Sequence, residues 1–154
     1  MRRPIPNGRA RRYLDAMIPA TQPVNARARV LLVDDDDFMT VTLPHYLAKR
    51  DCDVVTARHR TEAERLLAAT SYDLIVVDPY MTGETTKDTK PLLDMMRGHQ
   101  PAARIVLISA YTSTEMVVAA AACGAVAVLT KPQSPIFLSQ LVVSALKSGM
   151  ELKR

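Results

Sequence analysis

Val30-Leu31-Leu32-Val33-Asp34-Asp35-Asp36 is an apolar run of strand length that ends abruptly in carboxylates. Apolar side chains in a row, without alternation, describe a strand buried on both faces, as in a parallel sheet covered by helices. The acidic cluster that follows calls for a cation. The same arrangement recurs three times. Leu74-Ile75-Val76-Val77-Asp78 ends in another carboxylate, Ile105-Val106-Leu107-Ile108-Ser109 in a hydroxyl, and Val126-Ala127-Val128-Leu129-Thr130-Lys131-Pro132 in an ammonium. In open parallel sheets the ligand site lies beyond the carboxyl ends of the strands, so these distant residues can converge on one pocket.

The segments between the runs read as helices. Phe38 to Arg50 forms the first, with a kink expected at Pro44, which lacks an amide donor and crowds the preceding turn. Asp53 to Ala57 is a strand. Thr61-Glu62-Ala63-Glu64 has the form of a capping box and opens a helix through Ala69. After the third strand, Asp73 to Val77, a long loop runs from Pro79 to about Thr89. A short helix follows, with Pro91 in its first turn and Gly98 as its terminator. Thr112-Ser113-Thr114-Glu115 is a second capping box, leading a helix to Cys123 with Gly124 at its end. Ser134-Pro135 supplies the cap and first residue of the last helix, Ile136 to Lys147, closed by Gly149. Five alternations with mostly short connections make an α/β fold with a parallel sheet and helices on both faces.

A chain of 154 residues is long enough for one domain with a real core. Its two cysteines, Cys52 and Cys123, lack metal-type spacing and are expected as buried reduced thiols. No apolar stretch approaches the roughly 20 residues that cross a bilayer, and the first residues lack a secretory core, so a cytoplasmic location is expected. The net charge of +4 is unevenly distributed. Residues 1 to 29 hold seven arginines against Asp15 alone, a balance of +6, while the remainder sums to −2. Residues 1–28 therefore read as a basic, disordered arm in which only Arg9 to Ile18 has helical character. A solvated extension is the plain interpretation, with weak contact to nucleic acid or acidic lipid as the alternative.

The acidic pair after strand one, Asp after strand three, Ser after strand four and Lys-Pro after strand five together resemble the response-regulator receiver domain, the phosphoacceptor half of two-component signalling. The likeness spans residues 29–149, leaving 150–154 as a short tail. It implies a flavodoxin-like, doubly wound five-stranded sheet of order 2-1-3-4-5. It also implies Mg²⁺ held by Asp34, Asp35, Asp78 and the main-chain carbonyl of Tyr80, with Asp78 as the phosphoryl acceptor. Ser109 would donate to a phosphoryl oxygen, and Lys131 would pair with Asp78 and then with the phosphate, from a cis Lys131-Pro132 bond. The charge logic is independent of the resemblance: moving a phosphoryl group onto a carboxylate brings anions together, which a divalent cation and a fixed ammonium must offset.

Asp36 and Asp37 are expected to cap the Phe38 helix rather than to bind the ion. His45, His59 and His99 share no motif. Where relatives carry a switch aromatic this chain has Val128, and Tyr80 and Tyr111 are expected to flank the mouth of the site. The implied partners are a sensor histidine kinase or phosphotransfer protein and an unknown downstream protein. A homodimer through the face of helix four, strand five and helix five is also considered, because Met116 to Ala122 are apolar around most of their helix. The chain would then be a stand-alone regulatory domain and not an enzyme. Two rivals are a phosphorylation-independent interaction module and a haloacid-dehalogenase-type phosphatase with Asp34 as nucleophile and Asp36 as second acid.

Overall fold

The computed structural model describes residues 27–81 and 89–151, so the basic arm through residue 26, most of the loop after Tyr80 and the last three residues lie outside the described residues. Five strands form one parallel sheet: β1 (Ala28–Val33), β2 (Cys52–Ala57), β3 (Leu74–Val77), β4 (Arg104–Ser109) and β5 (Ala127–Thr130), in the order β2-β1-β3-β4-β5. This is the expected 2-1-3-4-5 sheet.

Each apolar run serves both faces of the sheet. Leu31, Val33, Ile75, Val77, Ile105 and Leu107 pack under α2 (Arg60–Ala69), α3 (Thr89–His99) and α4 (Thr114–Ala122), against Leu67, Leu93, Met96 and Met116. Their strand neighbours Val30, Leu32, Leu74, Val76, Val106 and Ile108 point the other way. They meet Met39, Leu43 and Leu47 of the first helix and Leu138 and Val142 of α5 (Pro135–Glu151). Two cores on one sheet explain why the strands read as unbroken apolar runs: period-two alternation requires one wet face, and this sheet has none.

Several element ends differ from expectation. The first helix, α1, begins as a π-helical stretch, Phe38–Thr42, and continues as α-helix over Leu43–Ala48, with Pro44 in the first turn of that second part. At Pro44 the helix changes type, from the wider π register to α-helix. α2 starts at Arg60 after His59, which makes no side-chain cap, and the Glu62 carboxylate accepts from the Arg58 amide at 3.3 Å; the Thr61 box does not form. Ser113, not Thr112, caps α4 by accepting from the Met116 amide at 3.1 Å. Gly98 lies inside α3, which runs to His99, whereas Gly124 closes α4 with φ of 75°, a conformation that favours glycine. Ser134 caps α5 as expected, accepting from Phe137 N–H at 3.0 Å, and that helix passes Gly149 to reach Glu151.

The domain also begins before Arg29. Ala28 is already in β1, and Arg27 is bound by Asp53 at 2.8 Å and by the carbonyls of Ala48 and Cys52 at 3.0 and 3.1 Å.

Cys52 is 2% exposed, and burial pushes its thiol up, against the pull of Arg27. Cys123 is partly exposed. A thiol reagent added to the native protein should therefore modify Cys123 first, with Cys52 slower by on the order of tenfold or more. Mass-resolved labelling time courses check this, and the two rates should converge in denaturant.

Candidate functional site

Hydrogen bonds between strands continue past the strand ends, and this places the site. Asp34 N–H donates to the Ala57 carbonyl at 3.0 Å, Asp78 N–H to that of Val33 at 2.9 Å, and Lys131 N–H to that of Ser109 at 2.7 Å. Asp34, Asp78 and Lys131 are thus each the first residue beyond a strand, held by one further rung, while Ser109 is the last residue of β4 opposite Thr130. The backbone positions of all four follow from sheet register before any side-chain contact is counted.

The side chains then meet around one ammonium. Lys131 Nζ lies 2.9 Å from Asp78 Oδ2 and 2.7 Å from Asp34 Oδ2, with Asp36 Oδ2 farther away at 3.8 Å. The Lys131-Pro132 bond is cis. Asp78 Oδ1 accepts from the Tyr80 amide at 2.9 Å, and Asp34 Oδ1 from the Asp36 amide at 3.0 Å. Asp34 and Ser109 are buried and Asp78 nearly so. The contact between Lys131 and Asp34 is short but poorly directed, so Asp34 Oδ2 has a cationic neighbour and, among the described residues, no aligned donor.

Charge in this buried pocket is unbalanced. Burial pushes the Asp34 carboxyl above its ordinary value, and Asp78 adds to the rise; Lys131 and the Asp36 amide pull the other way without cancelling it. Burial also pulls the Lys131 ammonium down, but the close contact with Asp34, the bond to Asp78 and the attraction of both carboxylates prevail and its pKa is raised. Two carboxylates and one ammonium leave a net negative site with a buried carboxylate oxygen lacking a directed partner.

That oxygen is what a divalent cation would take. Among the described residues no three carboxylate, imidazole or thiol groups close into a ready-made cage. Mg²⁺ does not need one, since it binds through one or two carboxylates and keeps several waters. Asp34 and Asp78 fit that role. Asp35, expected with them, is half-buried on the loop directly after Asp34. Asp36 behaves as a cap, its Oδ1 accepting from Phe38 N–H at 2.9 Å, whereas Asp37 makes no cap and pairs with Arg58 at 2.8 Å.

Of the two rings expected at the mouth, Tyr80 packs partly against the core and Tyr111 stands 77% exposed. The Tyr111 amide donates to Ser109 Oγ at 3.3 Å. Val128 is partly buried against the α2–α4 side of the core. Arg58 was not anticipated; it reaches the acidic loop from the end of β2, and nothing in its sequence neighbourhood marks it.

The family model described as Response regulator receiver domain matches residues 30–143. The alginate biosynthesis transcriptional regulatory protein AlgB of Pseudomonas aeruginosa is 33% identical over 121 residues, which is 79% of this chain and 26% of that protein. The response regulator protein PilR of the same organism is 30% identical over 122 residues, covering 79% of this chain and 27% of its own. The chain spans about a quarter of the length of these curated relatives. A response regulator protein from Burkholderia pseudomallei, solved with a phosphorylated aspartic acid, calcium ion and citrate, superposes with a TM-score of 0.67 at 27% identity, covering 82% of this chain and 71% of that one. A CheY-like receiver domain protein from Methanospirillum hungatei has the same fold, with a TM-score of 0.73 at 22% identity over 81% of this chain and 98% of that one.

A carboxyl whose folded pKa is raised favours folding while it holds its proton. That contribution is present below the unfolded value near 3.8 and is lost as pH rises through the folded value. Ionised Asp34 is therefore a cost to the metal-free protein at neutral pH. Asp34→Asn should melt about 2–4 °C higher than wild type at pH 7.5 in chelator, the shift expected for ~1 kcal/mol at this size, and the gap should narrow toward pH 4. Thermal melts across that range check it; a lower melting point for the variant at every pH would show that the Lys131 pair outweighs desolvation.

Proposed function

The chain belongs to the response regulator receiver family, and on that footing we propose that Asp78 is its phosphoryl acceptor, served by Lys131, Ser109 and a Mg²⁺ ion. Receivers are regulatory, non-enzymatic modules of two-component signalling, phosphorylated on aspartate by a cognate histidine kinase, and they typically bind a divalent cation at the phosphorylation site. The observation that carries the assignment is the single ammonium shared by Asp34 and Asp78 at the strand ends.

In the reaction the P–N bond of a phosphohistidine breaks as a P–O bond forms to an Asp78 carboxylate oxygen, and the departing imidazole nitrogen is left to take up a proton. Asp34, Asp35, Asp78 and the Tyr80 carbonyl would hold Mg²⁺, which supplies positive charge beside the phosphoryl oxygens. Lys131 is already in place at Asp78 and passes to a phosphoryl oxygen after transfer, a charge-assisted contact. Ser109 Oγ accepts the Tyr111 amide and takes no other partner among the described residues, which leaves its hydrogen for a phosphoryl oxygen. Phe38 and Val41, exposed just after the acidic run, offer an apolar ledge to the phosphodonor protein.

The output is a change in protein contacts. On α4, Met116 and Ala120 are buried while Val117 and Val118 face solvent, and Val126, Ile136 and Phe137 extend the apolar surface around β5 and the start of α5. This is the face proposed for a second copy or a downstream protein. Among the described residues no helix is long and apolar enough to cross a membrane, and a cytoplasmic site of action is part of the same proposal.

Phosphotransfer to wild type and Asp78→Asn tests the assignment. Label should appear on the wild type in Mg²⁺ and vanish in the variant, whereas label retained in Asp78→Asn, or none in either, rejects it. Mg²⁺ affinity should fall about tenfold or more in Asp35→Asn, because removing an anionic ligand leaves less to offset dehydration of the ion. Asp36→Asn should change it little, as calorimetric titration would show.

Light scattering across concentration, with and without phosphorylation, addresses the apolar face. A mass increase that Val118→Lys abolishes is expected, and a strict monomer in both states excludes the homodimer.

A further inference from the structure

Arg58 is the first residue beyond β2, the edge strand next to β1, and the register that sets Val33 opposite Ala57 brings it beside the acidic loop. Its amide donates to Glu62 Oε2 at 3.3 Å, which anchors it to the first turn of α2. The guanidinium reaches across the loop. Nη2 donates to the Asp35 carbonyl at 2.8 Å and pairs with Asp37 Oδ1 at 2.8 Å, while Nη1 donates to Thr40 Oγ1 at 3.0 Å. That hydroxyl in turn donates to the Asp36 carbonyl at 3.1 Å. One planar fork therefore grips main chain, carboxylate and hydroxyl along the turn that leads from β1 into α1.

The ion pair within this set contributes little, because its side chains are 44% and 84% exposed and such pairs are solvent-screened. The main-chain contact has a different consequence. Asp34 to Asp37 are four acidic residues in succession, and their mutual repulsion favours an open, variable loop. Fixing the Asp35 carbonyl restricts the backbone from which the Asp35 carboxylate projects. Asp37, at 2.8 Å, balances the charge of Arg58, so the arginine orders the loop without repelling a cation bound beside it. We infer that Arg58 is a positioning residue for the divalent-cation site, holding Asp35 in the conformation that serves the ion. The inference rests on the proposed Mg²⁺-dependent phosphoacceptor role.

Mg²⁺ titrations of the full chain by calorimetry separate ordering from simple charge. If Arg58 positions the loop, Arg58→Gln and the charge-balanced pair Arg58→Gln/Asp37→Asn should both bind Mg²⁺ about tenfold more weakly, the size typical of lost support to a metal ligand. Asp37→Asn alone should stay within about twofold of wild type, as for a screened rim charge. Arg58→Lys, which can reach only part of the fork, should restore part of the affinity. Amide exchange of residues 35–37 in the metal-free protein should quicken in Arg58→Gln while its melting temperature in chelator stays close to wild type. A purely electrostatic role predicts the reverse pattern: tighter binding in Arg58→Gln, weaker in Asp37→Asn and wild-type affinity in the pair, which would overturn the inference. Wild-type affinity in both Arg58→Gln and the pair overturns it as well and leaves the phosphoacceptor reading standing, whereas a wild-type protein with no Mg²⁺ affinity overturns both. Should Arg58→Gln fail to fold, Arg58→Lys decides alone, and undiminished affinity in it rejects the role.

Discussion

One ammonium, that of Lys131, stands between two carboxylates that the fold would otherwise force together. Asp34 and Asp78 are delivered to the same small volume by adjacent strands, and both are removed from water. Without a positive charge between them, the repulsion would oppose the pairing of β1 with β3 at the site end. Lys131 comes from β5, two strands away from β3 and on the far side of β4, so the contact also ties the edge of the sheet to its centre. The balance is incomplete: one ammonium for two carboxylates leaves the site net negative.

The site is rigid where the sheet makes it and soft where loops do. Asp34, Asp78 and Lys131 are held by ladder bonds that extend the strands by one residue, and a group fixed in this way cannot move far without breaking sheet structure. Asp35 and Asp36 lie one and two residues farther out, on a turn stabilised by Asp36 capping Phe38 and by Arg58 from β2. Ser109 connects differently. Through the Tyr111 amide it joins a short loop that reaches Ser113, the cap of α4. A change in the partners of Ser109 is thus two short steps from the start of the helix whose outer side carries Val117 and Val118. This loop is a short covalent link between the pocket and that surface.

Most of the fold was legible because strand burial on both faces leaves an unmistakable trace in composition. Val30 to Val33 and Ile105 to Ile108 could hardly be anything else. Helix ends were less legible for a reason visible at α4: Thr112, Ser113 and Thr114 are all competent caps, and the choice among them depends on where the chain leaves β4, not on the side chains. The π-helical opening of α1 is similar, since Pro44 announces that an amide is missing but not how the preceding turn accommodates it.

The amino-acid sequence by itself determined which chemical groups stand at the strand ends, because strand length and apolar run are local properties and the next residue must be the first one outside the sheet. Asp34, Asp78 and Lys131 were found that way, and Ser109 as the residue that ends its run. Only the tertiary structure decided which of the remaining charges join them. Asp37 paired with Arg58 instead of capping the Phe38 helix, Tyr111 turned its ring to solvent, and Arg58 came in from the neighbouring strand to hold the acidic loop. Each of those outcomes depends on distances between segments that are remote along the chain, and such distances exist only once the strands have paired in register.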